Sequence, residues 1–247
     1  MTIDRKLVRI LSADPDLGAK LDDETLAVAE RYAVAEATRL DAGPWNPADE
    51  SAGGPGDLGV LVLSGLLKRR IDVANSSCAE LLGQGDVLRP WQEDAGWDGS
   101  EVTAEWEVLE PSWLAVLDRR FAVTACRWPE LMDVLMGRSV RRSRTLAFHM
   151  ALSHLTRVDV RLLALFWHLA DRWGRVSPDG VVVPLRLTHQ TLASLVGAQR
   201  PSVTTALGGL ADAERVTRRP DGAWLLHGEA PIDLPAARGG AGLAHSR

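Results

Sequence analysis

The sequence predicts an α+β fold: an N-terminal β-roll or small sandwich, one long helix, and a C-terminal pair of short helices flanked by strands. Three observations lead there. Between Leu58 and Asp118 short apolar runs are separated by glycines, and in "EVTAEWEVL" Val102, Ala104, Trp106 and Val108 alternate with Thr103, Glu105 and Glu107, placing four apolar side chains on one face of a strand. From Arg127 to Leu155 no strong breaker follows Pro129, and Leu131, Val134, Leu135, Val140, Leu146, Met150 and Leu155 recur at helical spacing, with a bend expected near Gly137. Finally, "LTHQTLASLVGAQRPSVTTALGGLADAERV", from Leu187 to Val216, reads as two short helices about a single central glycine.

A chain of 247 residues has room for two domains, and 46% hydrophobic with 25% charged residues is the usual balance of a globular protein with a sizeable core. The longest apolar runs, from Leu58 and from Leu162, fall short of the ~20 residues of a membrane span. "MTIDRKLVRIL" lacks the features of a signal peptide, so the cytoplasm is the expected compartment. Cys78 and Cys126 are too far apart for a zinc or iron–sulfur site and are expected to be two buried thiols. Charge is unevenly placed: 17 basic residues face 25 acidic ones in 1–155, whereas 9 face 7 in 156–230. An acidic sensing or assembly part joined to a mildly basic binding part fits that division.

Taken in order, residues 4–40 show helical spacing (Leu7, Ile10, Leu11; Leu26, Ala29, Ala33), and "DAGPWNPADESAGGPGD" follows as a Gly/Pro-rich loop. "LGVLVLSGLLKRRIDV" reads as short strands with Ser64-Gly65 as their turn, followed by "AELLGQGDVLRP" and the strand-like run to Asp118. On the long helix Arg138, Arg141, Arg142 and Arg144 are expected to form a solvated face. "RVDVRLLALFWHLADRWG" is a helix closed by Gly174, "VVVPLRL" a strand with an edge proline, and "RVTRRPDGAWLLHG" a hairpin around Pro220-Asp221-Gly222. The final "ARGGAGLAHSR" reads as a disordered tail.

In the two-helix stretch Leu192, Leu195 and Val196 make the buried face of the first helix, and small Ala193 lets a second helix cross closely. Gly197 ends it as a residue free to take positive φ. On the second helix Val203, Leu207 and Leu210 bury, and Pro201 occupies the first turn, where its missing N–H is harmless. Ala193, Gly197 and Val203 together form the packing pattern of a helix-turn-helix. The remaining face, Gln199, Arg200, Ser202, Thr204 and Thr205, carries groups that hydrogen-bond to base edges or phosphates. A preceding strand and a following β-hairpin wing, with Arg218 and Arg219, fit a DNA-binding module better than an ordinary helical hairpin.

These residues resemble the winged helix-turn-helix of the Crp/Fnr transcription regulators, the family of the cyclic AMP receptor protein. "GDLGVLVLSGLLKR" is similar to the family's early β-roll strands and "AELLGQGDVL" to the Gly-x-Gly-Asp turn of that roll, and the resemblance extends over roughly residues 50–228. It implies a cyclic nucleotide-binding-like jelly roll with N-terminal helices in 1–126, a dimerisation helix in 127–155, a winged helix-turn-helix in 156–230 and a tail in 231–247. It also implies that Arg200 matches the first arginine of the recognition helix, Ser202 and Gln199 phosphate-contacting positions, and Thr188 and Gln190 backbone contacts at the first helix. Pro201 and Thr205 depart from the family, standing where a base-reading glutamate and a second base-reading arginine are common. The implied partners are double-stranded DNA with a palindromic operator, a second copy of the chain, RNA polymerase and a small-molecule effector of unknown identity. No membrane is implied.

Family members that bind cyclic nucleotides hold the cyclic phosphate with an arginine just after the Gly-x-Gly-Asp turn. Here the interval from Pro90 to Asp118 holds no Lys or Arg and 8 Asp or Glu, which repels a phosphate. Cyclic-nucleotide dependence is therefore not expected, and Arg89 is the one nearby cation. Trp91, Trp97, Trp106 and Trp113, four of the nine tryptophans, either fill a core or line a pocket for a neutral or cationic ligand, with Arg89, Trp91 and Trp106 the candidate residues. The six histidines show no spacing that decides for or against haem, and no cofactor or metal is expected. No catalytic constellation is recognisable. The rival readings are a ligand-gated regulator, a protein-interaction module built on the helix-turn-helix, and, ranked lowest, an enzyme using Glu93, Asp94 and Asp98 as a metal site.

Overall fold

The computed structural model describes residues 4–47, 53–73, 76–92 and 102–230. Trp97, the acidic group Glu93, Asp94 and Asp98, and the expected tail lie outside the described residues. The chain divides into two compact units, Met1–Phe148 and His149–Arg247.

The first unit is built on an antiparallel sheet. Strand β1 (Arg5–Arg9) leads into a short helix α1 (Ile10–Ala13), then α2 (Asp23–Tyr32), β2 (Val34–Leu40), β3 (Gly43–Trp45), the long β4 (Gly59–Val73), β5 (Ser76–Gly83), β6 (Val87–Leu88) and the long β7 (Val102–Leu117). Their order is β1-β2-β7-β4-β5, with β3 added on β7 and β6 on β4. Residues 4–40 therefore are not helical throughout. The spacing of Leu7, Ile10 and Leu11 suits either period locally, and pairing decides: Arg5 lies opposite Thr38, and Glu36 opposite Val116 of β7.

Ser64-Gly65 is likewise no turn. β4 runs straight through it, and the register against β7 shifts between Val62 and Leu67, which is a β-bulge. The alternation reverses there as a result: Val60 and Val62 share a core cluster with Leu67, while Leu61 and Leu63 face another cluster under the helices. Gly65 takes φ +92, and a Cβ there would lie 2.2 Å from Ser112 Oγ, so the bulge requires glycine. Pro111 sits across from this bulge, where a missing ladder donor is tolerated. On β7, Trp106 and Val108 are buried while Ala104 is exposed. The Gly83-Gln84-Gly85-Asp86 turn closes as the residue types suggest, with Asp86 Oδ2 accepting from the Gly83 N–H at 2.8 Å.

Helices α3 (Arg119–Ala125) and α4 (Pro129–Ser153) follow, α4 without a break at Gly137. Leu131 and Leu135 bury against Phe121, Trp128 and Leu17, whereas Met136, Val140 and Met150 are exposed. The arginines of α4 are not one solvated face. Arg138 is buried on Asp14, and Arg142 donates to Glu80 at 2.7 Å, a carboxylate that also receives Arg69 at 2.7 Å; Arg141 and Arg144 remain exposed. Both cysteines are exposed rather than buried, Cys78 on the edge strand β5 and Cys126 at the end of α3.

The second unit contains α5 (Val158–Trp173), β8 (Arg175–Ser177), β9 (Gly180–Val183), α6 (His189–Val196), α7 (Arg200–Asp212), β10 (Val216–Arg218) and β11 (Trp224–Leu226). Its sheet has the order β10-β11-β9-β8, all antiparallel. Leu162, Leu165 and Phe166 of α5 are fully buried, and α5 packs against both α6 and α7. Among the described residues no helix is long and apolar enough to cross a membrane.

Candidate nucleic-acid interface

Each turn of the α6–α7 pair has a local cause. Thr188 caps α6, its Oγ1 accepting from the Thr191 N–H at 3.0 Å, one of the orphan donors every helix start must satisfy. Gly197 ends α6 at φ 61, and the Ala198 N–H reaches back to the Ala193 carbonyl at 3.0 Å, a Schellman closure. The last carbonyls of α6 are also held from outside: Arg161 of α5 donates Nη1 to Val196 O at 3.1 Å and Gly197 O at 3.2 Å. The sequence reading missed Arg161, because nothing in its spacing ties it to a turn 35 residues further on. Pro201 falls in the first turn of α7, as expected.

Leu192, Ala193, Leu195 and Val196 of α6 and Val203, Leu207 and Leu210 of α7 are buried, so the opposite faces are fixed outward. Thr188, Gln190, Gln199, Arg200, Ser202, Thr204 and Thr205 are all exposed. Two of the hydroxyls are engaged within the helix: Thr204 Oγ1 donates to Arg200 O at 3.1 Å and Thr205 Oγ1 to Pro201 O at 3.2 Å. Both thereby offer a ligand an acceptor rather than a donor, while Arg200 and Gln199 keep theirs.

The hairpin of β10 and β11 turns at Pro220-Asp221-Gly222. The Arg219 N–H donates to Ala223 O at 2.9 Å, and Gly222 takes φ +87. Arg218 is exposed, its guanidinium 5.6 Å from the ring of Trp224; Arg219 is half-buried and reaches Asp221 at 3.5 Å. Trp224 is buried, packing on Phe166 at 4.9 Å between ring centroids. His189, which the sequence reading did not single out, joins the two helices: its Nδ1 lies 2.9 Å from Thr204 Oγ1, and its ring 6.5 Å from Trp224. Burial, then Arg218, then Arg200 hold its pKa below the usual imidazole value. The surface is thus two helix faces and a wing edge bearing Arg200 and Arg218, with the one carboxylate named, Asp221 at the wing's tip, beside Arg219.

In the first unit the ligand candidates separate. Arg89 donates to the Asp57 carbonyl at 2.8 Å, and the Asp57 carboxylate in turn accepts from the Gly53, Gly54 and Arg119 N–H groups. Trp91 packs on the cluster of Val60 and Trp106. Trp106 meets Trp45 edge to face at 5.4 Å, and these two line an open cleft of about 470 Å³ with Lys68, Arg70, Glu105 and Glu107. Neither Arg89 nor Trp91 lines that cleft. Its two cations are paired, Lys68 with Glu107 and Arg70 with Glu105.

Residues 160–228 match the family model of the Crp-like helix-turn-helix domain. A global nitrogen regulator of Synechococcus elongatus is 35% identical over 91 residues, 36% of this chain and 40% of the relative. The chain thus spans about two fifths of the length of that curated relative. Among solved structures, a cyclic nucleotide-binding domain containing protein from Listeria monocytogenes superposes with a TM-score of 0.62 at 15% identity, covering 86% of this chain and 96% of the other. A CooA variant from Carboxydothermus hydrogenoformans gives a TM-score of 0.59 at 17% identity, covering 77% and 82%. At these identities the two structures speak for the fold alone, and that fold is the α+β architecture the sequence predicts.

Proposed function

We propose that the chain, whose residues 160–228 match the Crp-like helix-turn-helix domain, is a Crp/Fnr-type, sequence-specific, double-stranded DNA-binding transcription regulator acting as a homodimer on a palindromic operator. One observation carries the reading. The buried stripe Val203, Leu207, Leu210 turns Gln199, Arg200 and Ser202 of α7 outward, beside Arg218 of the wing. An arginine at the start of such a helix suits a bidentate contact to guanine in the major groove, while Thr188, Gln190, Ser202, Arg218 and Arg219 suit phosphates. Thr204 and Thr205 add acceptors or methyl contacts.

In this reading residues 1–126 form the sensing roll, 127–155 the dimerisation helix and 156–230 the DNA-binding domain. Met136, Val140 and Met150, exposed along α4, supply the face a second copy covers. Cyclic nucleotide is not required. The two cations that line the tryptophan cleft, Lys68 and Arg70, are paired with glutamates, which among the described lining residues leaves no unpaired cation for a phosphate. A different effector, neutral and planar, is the second reading, favoured by the Trp45–Trp106 cleft; RNA polymerase would be a partner of the DNA-bound dimer. A gel shift at two salt concentrations tests the main reading. Binding weakened steeply by salt supports it, whereas salt-insensitive retention, or none, favours a protein-interaction module.

A further inference from the structure

His189 begins α6 on the same surface as Arg200 and Arg218, and its contact with Thr204 favours one tautomer. Thr204 Oγ1 has one proton and two close neighbours, Arg200 O at 3.1 Å and His189 Nδ1 at 2.9 Å, and both contacts are hydrogen bonds at once only in the tautomer whose Nδ1–H donates from the ring. In a neutral imidazole that leaves Nε2 a bare acceptor. Two acceptors repel, so neutral His189 offers nothing to a phosphate oxygen. Protonation converts Nε2 into a charged donor while keeping the Nδ1–H on Thr204.

We infer that His189 is a proton-linked phosphate contact and a positioning residue of the DNA interface: it clamps α7 to α6 through Thr204, and it takes up a proton when the nucleic acid arrives. This rests on the DNA-binding reading above. The groups facing the ring from each packed element are Thr204 and Arg200 on α7, Arg218 on β10 and Trp224 on β11. Burial and the two guanidiniums keep the ring neutral in the free protein, and its pKa lies below the ordinary 6.5. A DNA phosphate placed beside Arg218 and His189 reverses the sign of the local field, so the imidazolium is favoured in the complex.

The sign of the pH dependence follows. The complex holds the proton at a higher pH than the free protein does. Affinity therefore rises as the pH falls from the complex's pKa towards the lower one of the free protein, and levels off below it. For one proton the slope is at most about tenfold per pH unit.

The test measures dissociation constants of the full chain for a fluorescein-labelled duplex of random sequence between pH 8 and pH 5.5 at fixed ionic strength, with circular dichroism to verify folding at each pH. Wild type is expected to tighten by about three- to tenfold between pH 8 and pH 6. His189→Gln keeps an N–H for Thr204 but cannot be protonated, and should be flat. His189→Arg, a permanent cation, should bind at pH 8 as wild type does near pH 6. A flat wild-type profile, or a slope that His189→Gln retains, overturns the inference while leaving DNA binding intact. Failure of all three proteins to bind any duplex at any pH overturns the DNA-binding reading itself.

Discussion

Arg138 and Asp14, 124 residues apart in sequence, form a bidentate ion pair in which Nη2 donates to Oδ1 at 2.8 Å and Nη1 to Oδ2, with 5% and 4% of the two side chains exposed. The pair ties α4 to the segment that follows α1. Its removal in halves is costly, because each leaves a buried charge without its counter-ion. Arg138→Met alone should lower stability by about 3–5 kcal/mol, whereas Arg138→Met with Asp14→Leu should recover much of that loss. Urea unfolding of both variants measures it; equal destabilisation would contradict the pairing.

Gly65 carries the bulge of β4. Alanine there meets left-handed backbone strain of about 1–3 kcal/mol as well as Ser112 Oγ at 2.2 Å and the Pro111 carbonyl at 2.6 Å. Gly65→Ala should therefore be far more damaging than Gly137→Ala on α4, where a Cβ meets nothing within 4 Å. Thermal denaturation of the two variants, compared directly, checks the contrast.

The helix-turn-helix was legible because its signal is local. Ala193, Gly197 and Val203 combine burial with one αL turn inside a dozen residues, and their neighbours then have only one way out. What misled the reading was long-range pairing. Arg5–Arg9 is a strand because β2 lies beside it, and Gly65 is a bulge because Pro111 and Ser112 of β7 sit opposite. Arg138 carries the same charge as Arg144, yet one is buried and one exposed, since only Arg138 meets a carboxylate brought from another element. His189 escaped notice for a related reason: its partner Thr204 lies on the next helix, and its role shows only in the hydrogen bond between them.

Along α4 the exposed apolar residues and the buried ones should behave differently. Met136→Glu and Met150→Glu should shift a dimer towards monomer while each monomer stays folded, since both side chains are largely exposed in the single chain. Leu135→Glu should instead unfold the first unit, because Leu135 belongs to its core. Analytical ultracentrifugation paired with circular dichroism distinguishes the two effects.

His168 on α5 packs edge to face with His149 at 6.0 Å, and burial first, then His149 and Arg172, lower its pKa to about 4. The folded state thus refuses a proton that the unfolded chain accepts at about 6.5. Stability from this site is fully present above pH 6.5 and is lost as the pH falls towards 4, by at most about 3 kcal/mol. His168→Gln should flatten the decline in that window; an unchanged slope would place the acid sensitivity elsewhere.

Arg200 and Arg218 should fail in different ways. Arg200→Ala should cost about 1–3 kcal/mol on the best site and relax preference at one base pair, while Arg218→Ala should weaken all sequences alike and lower the salt slope by about one. Equal loss on specific and random DNA would reassign Arg200 to a phosphate.

The most direct measurement is selection of bound duplexes from a random pool by the full chain, followed by dissociation constants for the enriched sequence over a range of salt. If the chain is the dimeric regulator proposed, it should enrich inverted half-sites about one helical turn apart, bound far more tightly than random DNA and with a steep loss of affinity in salt. A pool that stays random after repeated rounds, with salt-independent retention, would contradict the account.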